Sequence, residues 1–186
     1  MATVVYSSIV SLDGYFEDAD GRFDFAAPDE ELHRAANEQA RAVSAYLFGR
    51  RLYETMEEPW TAAAAKLDEL PAVEAEFASL YLETPRYVFS DTLERVGDGV
   101  ELVRGADAVE VVTRLKAELD GELALGGAGL AASLIDLVDE FRLFVVPVAV
   151  GGGKPFFPLG TRLRLRLMEH RAFASGAMFL RYAVAG

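Results

Sequence analysis

Twice in this chain an apolar run stops at glycine and a helical pattern begins at once. The first junction is Tyr46-Leu47-Phe48-Gly49-Arg50-Arg51-Leu52-Tyr53-Glu54, and the second is Leu125-Gly126-Gly127-Ala128-Gly129. Glycine permits a tight backbone turn where a side chain would obstruct it. Short strands that feed directly into helices predict βα units and a mainly parallel sheet. Each following helix also begins with backbone N–H groups that have no partner of their own. Arg50 and Arg51 add positive charge beside the first set, so both junctions are candidate phosphate sites. Neither is a G-x-G-x-x-G unit opening the chain, which argues against a standard Rossmann domain. Two anion-ready junctions in one small chain point to a ligand with several phosphates, such as a dinucleotide.

The rest of the pattern extends this reading. Thr3–Val10 is rich in β-branched residues and predicts a buried first strand, followed by an acidic, Gly-containing loop to Asp24. Pro28-Asp29-Glu30-Glu31 predicts a helix start with first-turn acids, the helix continuing to about Val43. Ala45–Phe48 is a strand, and a helix from Leu52 to about Glu57 is expected to end at Pro59. Residues 62–82 are mostly helical with a break at Pro71, Arg86–Ser90 and Val100–Val103 are strands, and Asp107 is placed to cap a helix to Leu119. Glu122–Leu125 is a strand and Gly129–Leu137 a short helix. The period then changes. Glu140–Val150 predicts a long strand, Leu163, Leu165 and Leu167 alternate with Arg162, Arg164 and Arg166, Ser175-Gly176 is a turn, and Ala177–Val184 is the last strand. The expected class is α/β, a single domain over residues 1–186, with βα units first and antiparallel strands at the end.

Composition narrows the function. The 186 residues carry a formal net charge of −12, opposite to what a general nucleic-acid binder needs. The absence of cysteine removes disulfides, thiolate metal sites and cysteine nucleophiles, and two histidines make a zinc site improbable, so no metal is expected. The first residues lack the basic n-region of a signal peptide, and no apolar run approaches the ~18 residues of a membrane span. The expectation is a cytoplasmic protein with no membrane partner. Trp60 and Tyr53 are expected to serve as packing aromatics.

Several segments, taken in order, carry a family likeness: Ser11-Leu12-Asp13-Gly14-Tyr15, the Gly49 and Gly126 junctions, Tyr87-Val88-Phe89-Ser90, and Val138-Asp139-Glu140-x-Arg142-Leu143-x-Val145-x-Pro147-Val148-x-x-Gly151-x-Gly153-x-Pro155-Phe156-Phe157. This set resembles the dihydrofolate-reductase-like superfamily, and within it the group containing the reductase domain of bifunctional riboflavin-biosynthesis deaminase–reductases. The resemblance covers nearly the whole chain. It implies a mostly parallel central sheet with antiparallel C-terminal strands, flanked by helices, and NADPH across the strand ends. It places Gly49, Arg50 and Arg51 on the cofactor phosphates, Ser90 by the adenosine, and Gly126, Gly127, Ala128 and Gly129 around the pyrophosphate. Hydride would pass to a small nitrogen heterocycle, a pterin, a pyrimidine or a relative. A homodimer is implied by the same likeness.

Three positions depart from the family pattern. Leu52 stands where a threonine is usual, Asp91 follows Ser90 where a basic residue is common, and Leu125 precedes the Gly-Gly where the riboflavin-pathway reductase often has an acid. A carboxylate at 91 repels a ribose 2′-phosphate and accepts from a bare ribose, which keeps NADH as the alternative cofactor. The resemblance implies a carboxylate proton donor after the first loop, where Asp24, Asp29, Glu30 and Glu31 all lie, and Asp24, between Phe23 and Phe25, is the preferred candidate because apolar neighbours raise a carboxyl pKa. Asp13, at the mouth of the first strand, is the second candidate. The rival to an enzyme is a nucleotide-binding or regulatory protein that keeps the fold without turnover.

Overall fold

A computed structural model describes residues 1–185. Its centre is an eight-stranded sheet built from β1 (Thr3–Val10), β3 (Val43–Gly49), β4 (Arg86–Phe89), β5 (Val100–Val103), β6 (Glu122–Gly126), β7 (Glu140–Val145), β9 (Leu165–Ala172) and β10 (Met178–Val184). The strand order is β5-β4-β3-β6-β1-β7-β10-β9. The first six in that order pair in parallel, while β10 runs antiparallel to β7 and β9 antiparallel to β10. The mostly parallel sheet with an antiparallel C-terminal end is therefore present as expected. A separate two-stranded ribbon, β2 (Tyr15–Glu17) with β8 (Lys154–Pro155), lies outside it.

Side chains alternate across the strands and divide the core into two faces. On one, Val4, Tyr6, Leu47, Leu123, Leu125 and Phe141 meet Val112 and Leu115 of α4 (Ala108–Glu118) and Leu130 of α5 (Ala128–Ser133). The other face carries α1 (Glu30–Ala40), α2 (Arg50–Ala64) and α3 (Ala72–Glu83). It holds two apolar clusters: Leu32 and Ala35 against Phe144 and Phe179, and Tyr53 and Tyr81 against Tyr46, Phe48 and Val88. Between these clusters runs a charged strip. Arg142, 3% exposed, donates to both carboxylate oxygens of Glu122 (2.7 and 2.8 Å), to Glu140 (2.9 Å) and to Gln39 (2.6 Å). Arg181 in turn donates twice to Glu140. Among the described residues, no helix is long and apolar enough to cross a membrane.

Several element boundaries differ from the sequence expectation, each for a physical reason. The helix expected to end at Pro59 continues to Ala64. Proline removes one helical N–H, but Thr55 and Pro59 are exposed, so the freed carbonyl is open to solvent, and Trp60 holds the next turn against Phe77 at 4.5 Å between ring centroids. The first helix stops at Ala40 rather than near Val43, because Val43 already pairs with Glu122 in the sheet. Asp29 caps that helix, accepting from the Leu32 N–H at 2.8 Å. Asp107 stands at the N-cap of α4 without making a cap bond, since a 3-10 turn at Gly105–Asp107 leads into the helix. β7 ends at Val145, not Val150, because Pro147 lacks the donor a central strand needs. The predicted helix at 129–137 is α5 followed by a 3-10 turn at Ile135–Leu137. The alternating arginine segment enters the sheet only at Leu165, leaving Arg162 and Arg164 outside it.

Candidate functional site

The two glycine junctions meet. In the parallel sheet β3 and β6 are neighbours, with Phe48 opposite Gly126, so the chain leaves both strands at the same level. A Cβ built on Gly127 would lie 3.5 Å from the Gly49 nitrogen and 3.6 Å from its Cα, and Gly127 itself has φ +96°. The positive φ favours glycine at 127, and a Cβ there would be in ordinary contact with Gly49, so the two junctions lie side by side. The consequence is a cleft of roughly 520 Å3 at the C-terminal ends of the strands, with Gly49, Arg50 and Arg51 on one side and Gly127, Ala128 and Gly129 on the other. Ser90 and Asp91, at the end of β4, also line it.

The donors at this cleft are suited to anionic oxygen. Gly49 is the N-cap of the fifteen-residue α2 and no side chain caps its first turn, which leaves the leading N–H groups free for a ligand. Arg50 spans Glu54 (3.2 Å) in an exposed pair of little net strength, and the exposed Arg51 faces the half-buried Glu17 at 3.7 Å. Lys154, on β8, is a third cation on the same cleft. Sequence reasoning passed over Lys154. Its signal was a lone cation inside the Gly151-Gly152-Gly153-Lys154-Pro155 run, which the β2–β8 pairing carries to the cleft.

The remaining residues named from the sequence fall in three places. Ser90 is buried and its Oγ accepts from the Thr92 and Leu93 N–H groups at 3.1 and 3.0 Å, fixing the turn after β4. Asp91 accepts from the Gly105 N–H at 2.9 Å and so braces the cleft wall. Gly126 does not line the cleft. A Cβ there would overlap Leu52 Cδ2 and lie 3.2 Å from Phe48 Cδ1, so Gly126 makes room for Leu52. Leu52, the departure from threonine, borders both the cleft and a smaller cavity beneath α1.

Neither aspartate borders the cleft or that cavity. Asp24 begins an exposed 3-10 turn, Asp24–Ala26, and the apolar enclosure expected around it is absent, Phe23 being itself 52% exposed. Asp13 accepts from Ser11 Oγ (2.7 Å) and from the Gly151 (2.7 Å) and Val150 (3.1 Å) N–H groups. The hydrogen bond from Ser11, joined by the backbone donors, holds its carboxyl below the ordinary carboxylate range. It pins the turn after β1 to the loop after β7.

Comparison with known proteins gives the family and the fold. Residues 2–179 match the model of the RibD C-terminal domain. The uncharacterized protein YyaP of Bacillus subtilis (strain 168) is 30% identical over 183 residues, covering 96% of this chain and 93% of YyaP. Among solved structures, a Shewanella sp. PV-4 protein provisionally assigned to riboflavin biosynthesis superposes with TM-score 0.72 at 22% identity, covering all of both chains. The diaminohydroxyphosphoribosylaminopyrimidine deaminase/5-amino-6-(5-phosphoribosylamino)uracil reductase of Thermotoga maritima gives 0.68 at 16% identity, with 99% of this chain on 57% of that one. Dihydrofolate reductase of Enterococcus faecalis, solved with NADP(H), gives 0.64 at 12% identity over 99% of this chain and 97% of that one. At these identities the structural likeness is one of fold, and the fold is dihydrofolate-reductase-like.

Proposed function

Because the chain belongs to the RibD C-terminal domain family, we propose that it is a reductase that binds NADPH in the cleft between its two glycine junctions and passes hydride to a small nitrogen heterocycle. The observation that carries this reading is the placement of Gly127 beside Gly49, which gathers backbone donors, Arg50 and Arg51 around one cleft that Lys154 also lines. The α2 N-terminus with the two arginines would hold phosphate, Gly127 to Gly129 would lie along the pyrophosphate, and Ser90 would stand near the adenosine. When bound, the reduced nicotinamide supplies the hydride. The protein's part is to orient both reactants and to exclude water. Asp91 stands at the cleft wall, and NADH is the alternative to which its charge is better suited.

A second reading, nucleotide binding without turnover, is favoured by one observation: neither Asp13 nor Asp24 borders the cleft or the neighbouring cavity. The test is oxidation of NADPH and of NADH by purified protein with a panel of pterins and pyrimidines, beside the Arg50→Ala/Arg51→Ala double variant. Turnover that the double variant loses supports the reductase. Tight nucleotide binding with no oxidation across the panel supports the second reading.

A further inference from the structure

The cleft has a cationic end and an anionic end. Its middle is the pair of Gly49 and Gly127, where β3 and β6 finish side by side. On one side of that pair lies β4, in parallel register with β3, so that Phe89 stands opposite Gly49 and Asp91 follows two residues later. On the other side lies β1, whose closing turn is bonded to the β2–β8 ribbon that carries Lys154. The cations lining the cleft are Arg50, Arg51 and Lys154, and among the described residues Asp91 is the only acid that lines it. Lys154 thus stands across the glycine pair from Asp91. Arg104, a cation near Asp91, does not line the cleft: its Nη1 donates to the Ser90 and Leu93 carbonyls at 2.8 and 2.9 Å and braces the turn after β4.

The Asp91 carboxylate is held in place by its neighbour across the turn. Its Oδ1 accepts from the Gly105 N–H at 2.9 Å, and Gly105 lines the cleft beside it. A Cβ at 105 would lie 2.8 Å from Oδ2 and 3.4 Å from Cγ, so the carboxylate rests against bare backbone and a side chain there would push it aside. An ionised carboxylate can only accept hydrogen bonds. It suits the hydroxyls of a ribose and repels a phosphate carried on the same sugar. Neighbouring strands lie ~4.8 Å apart, so the end of β4 is one short step from phosphates seated on the glycine pair, the place for the adjoining sugar.

Building on the dinucleotide reading of this cleft, we propose that Asp91, set by Gly105, selects the cofactor: the site binds NADH, with its free ribose 2′-hydroxyl, more tightly than the 2′-phosphorylated NADPH. Arg50 and Arg51, at the phosphate-binding middle, serve the pyrophosphate that both cofactors share and give NADPH no advantage. The reductase reading stands with either cofactor, and Asp91 ranks the two.

The experiment titrates the full chain and Asp91→Asn, by calorimetry, with NADH, NADPH, ADP-ribose and 2′-phospho-ADP-ribose. The last two lack nicotinamide and isolate the sugar that carries the 2′ group. Asparagine keeps an acceptor for the Gly105 N–H and removes the charge, so the variant should melt like the wild type. The wild type should bind each unphosphorylated probe about tenfold or more tightly than its 2′-phosphorylated counterpart, the scale of one charge-assisted hydrogen bond. In Asp91→Asn the ratio should shrink to about threefold or less, chiefly through tighter binding of the 2′-phosphorylated probes, a gain that a merely structural role for Asp91 would not produce. Wild-type binding of the 2′-phosphorylated probes as tight as or tighter than that of the others, or an unchanged ratio in Asp91→Asn, overturns the proposal and spares the reductase reading. A folded wild type that binds none of the four probes refutes the reading of the cleft and this proposal with it.

Discussion

Gly126→Ala tests the wall between cleft and cavity. Gly126 lies outside the left-handed region, so alanine meets no backbone penalty there. Its Cβ would overlap Leu52 Cδ2 and crowd Phe48 Cδ1 at 3.2 Å. Comfortable carbon–carbon separation is ~3.5–4.0 Å, and overpacking of this kind costs about 1–3 kcal/mol. Against that, alanine restricts the unfolded chain and returns about 0.4–1 kcal/mol. The net loss expected is about 1–2 kcal/mol, or roughly 2–8 °C in Tm for a chain of this size. In a Leu52→Ala background only the 3.2 Å approach to Phe48 Cδ1 remains, and Gly126→Ala should cost little or nothing. Urea unfolding of wild type, both single variants and the double variant gives the coupling directly, expected at about 1–3 kcal/mol. Leu52 borders the cleft, so a displaced Leu52 side chain should also weaken nucleotide binding. Additive effects, within about 0.5 kcal/mol, would refute the contact and its role as a partition.

Three further outcomes follow. Burial works against the charge of Glu140, but the hydrogen bonds from Arg181 and Arg142 outweigh it, and the carboxyl titrates below its ordinary 4.5. A depressed folded pKa stabilises fully above the ordinary value and is lost as pH falls through the folded one. Wild type should therefore lose Tm more steeply than Glu140→Gln between about pH 5 and pH 3, and parallel curves would remove this linkage. Lys154→Ala should weaken NADPH about three- to tenfold at low salt, with the gap closing as salt rises, and an unchanged affinity would take Lys154 out of the site. Asp13→Ala removes the acceptor for the Val150 and Gly151 N–H groups, so hydrogen exchange there should accelerate. Unaltered protection at both amides would show that Asp13 does not hold that loop.

What the sequence makes legible here is local. β1, β5 and the approach to each glycine junction are set by short β-branched or apolar runs, and their bounds agree closely with the structure. The switch from βα units to antiparallel strands shows in the change of period after Glu140. What is not legible depends on register. Nothing in either junction alone tells that Gly49 and Gly127 lie side by side; that follows from the pairing of β3 with β6. The β2–β8 ribbon is three residues against two, too short to leave a pattern, yet it brings Lys154 to the cleft. Arg142 lies in the quoted motif, but its partners Glu122 and Gln39 come from another strand and a helix. Pro59 shows the opposite limit: a strong local stop signal is overridden where the site is exposed and the Trp60–Phe77 contact holds the next turn.

The central claim, that the paired glycine junctions form a nicotinamide-dinucleotide site, is tested most directly by equilibrium titration of the wild type and of Arg50→Ala/Arg51→Ala with NADPH and NADH. The account predicts saturable binding of at least one nucleotide by the wild type and its loss, by about tenfold or more, in a double variant that melts like the wild type. A folded wild type that binds neither nucleotide, or a double variant that binds as tightly as the wild type, would contradict it.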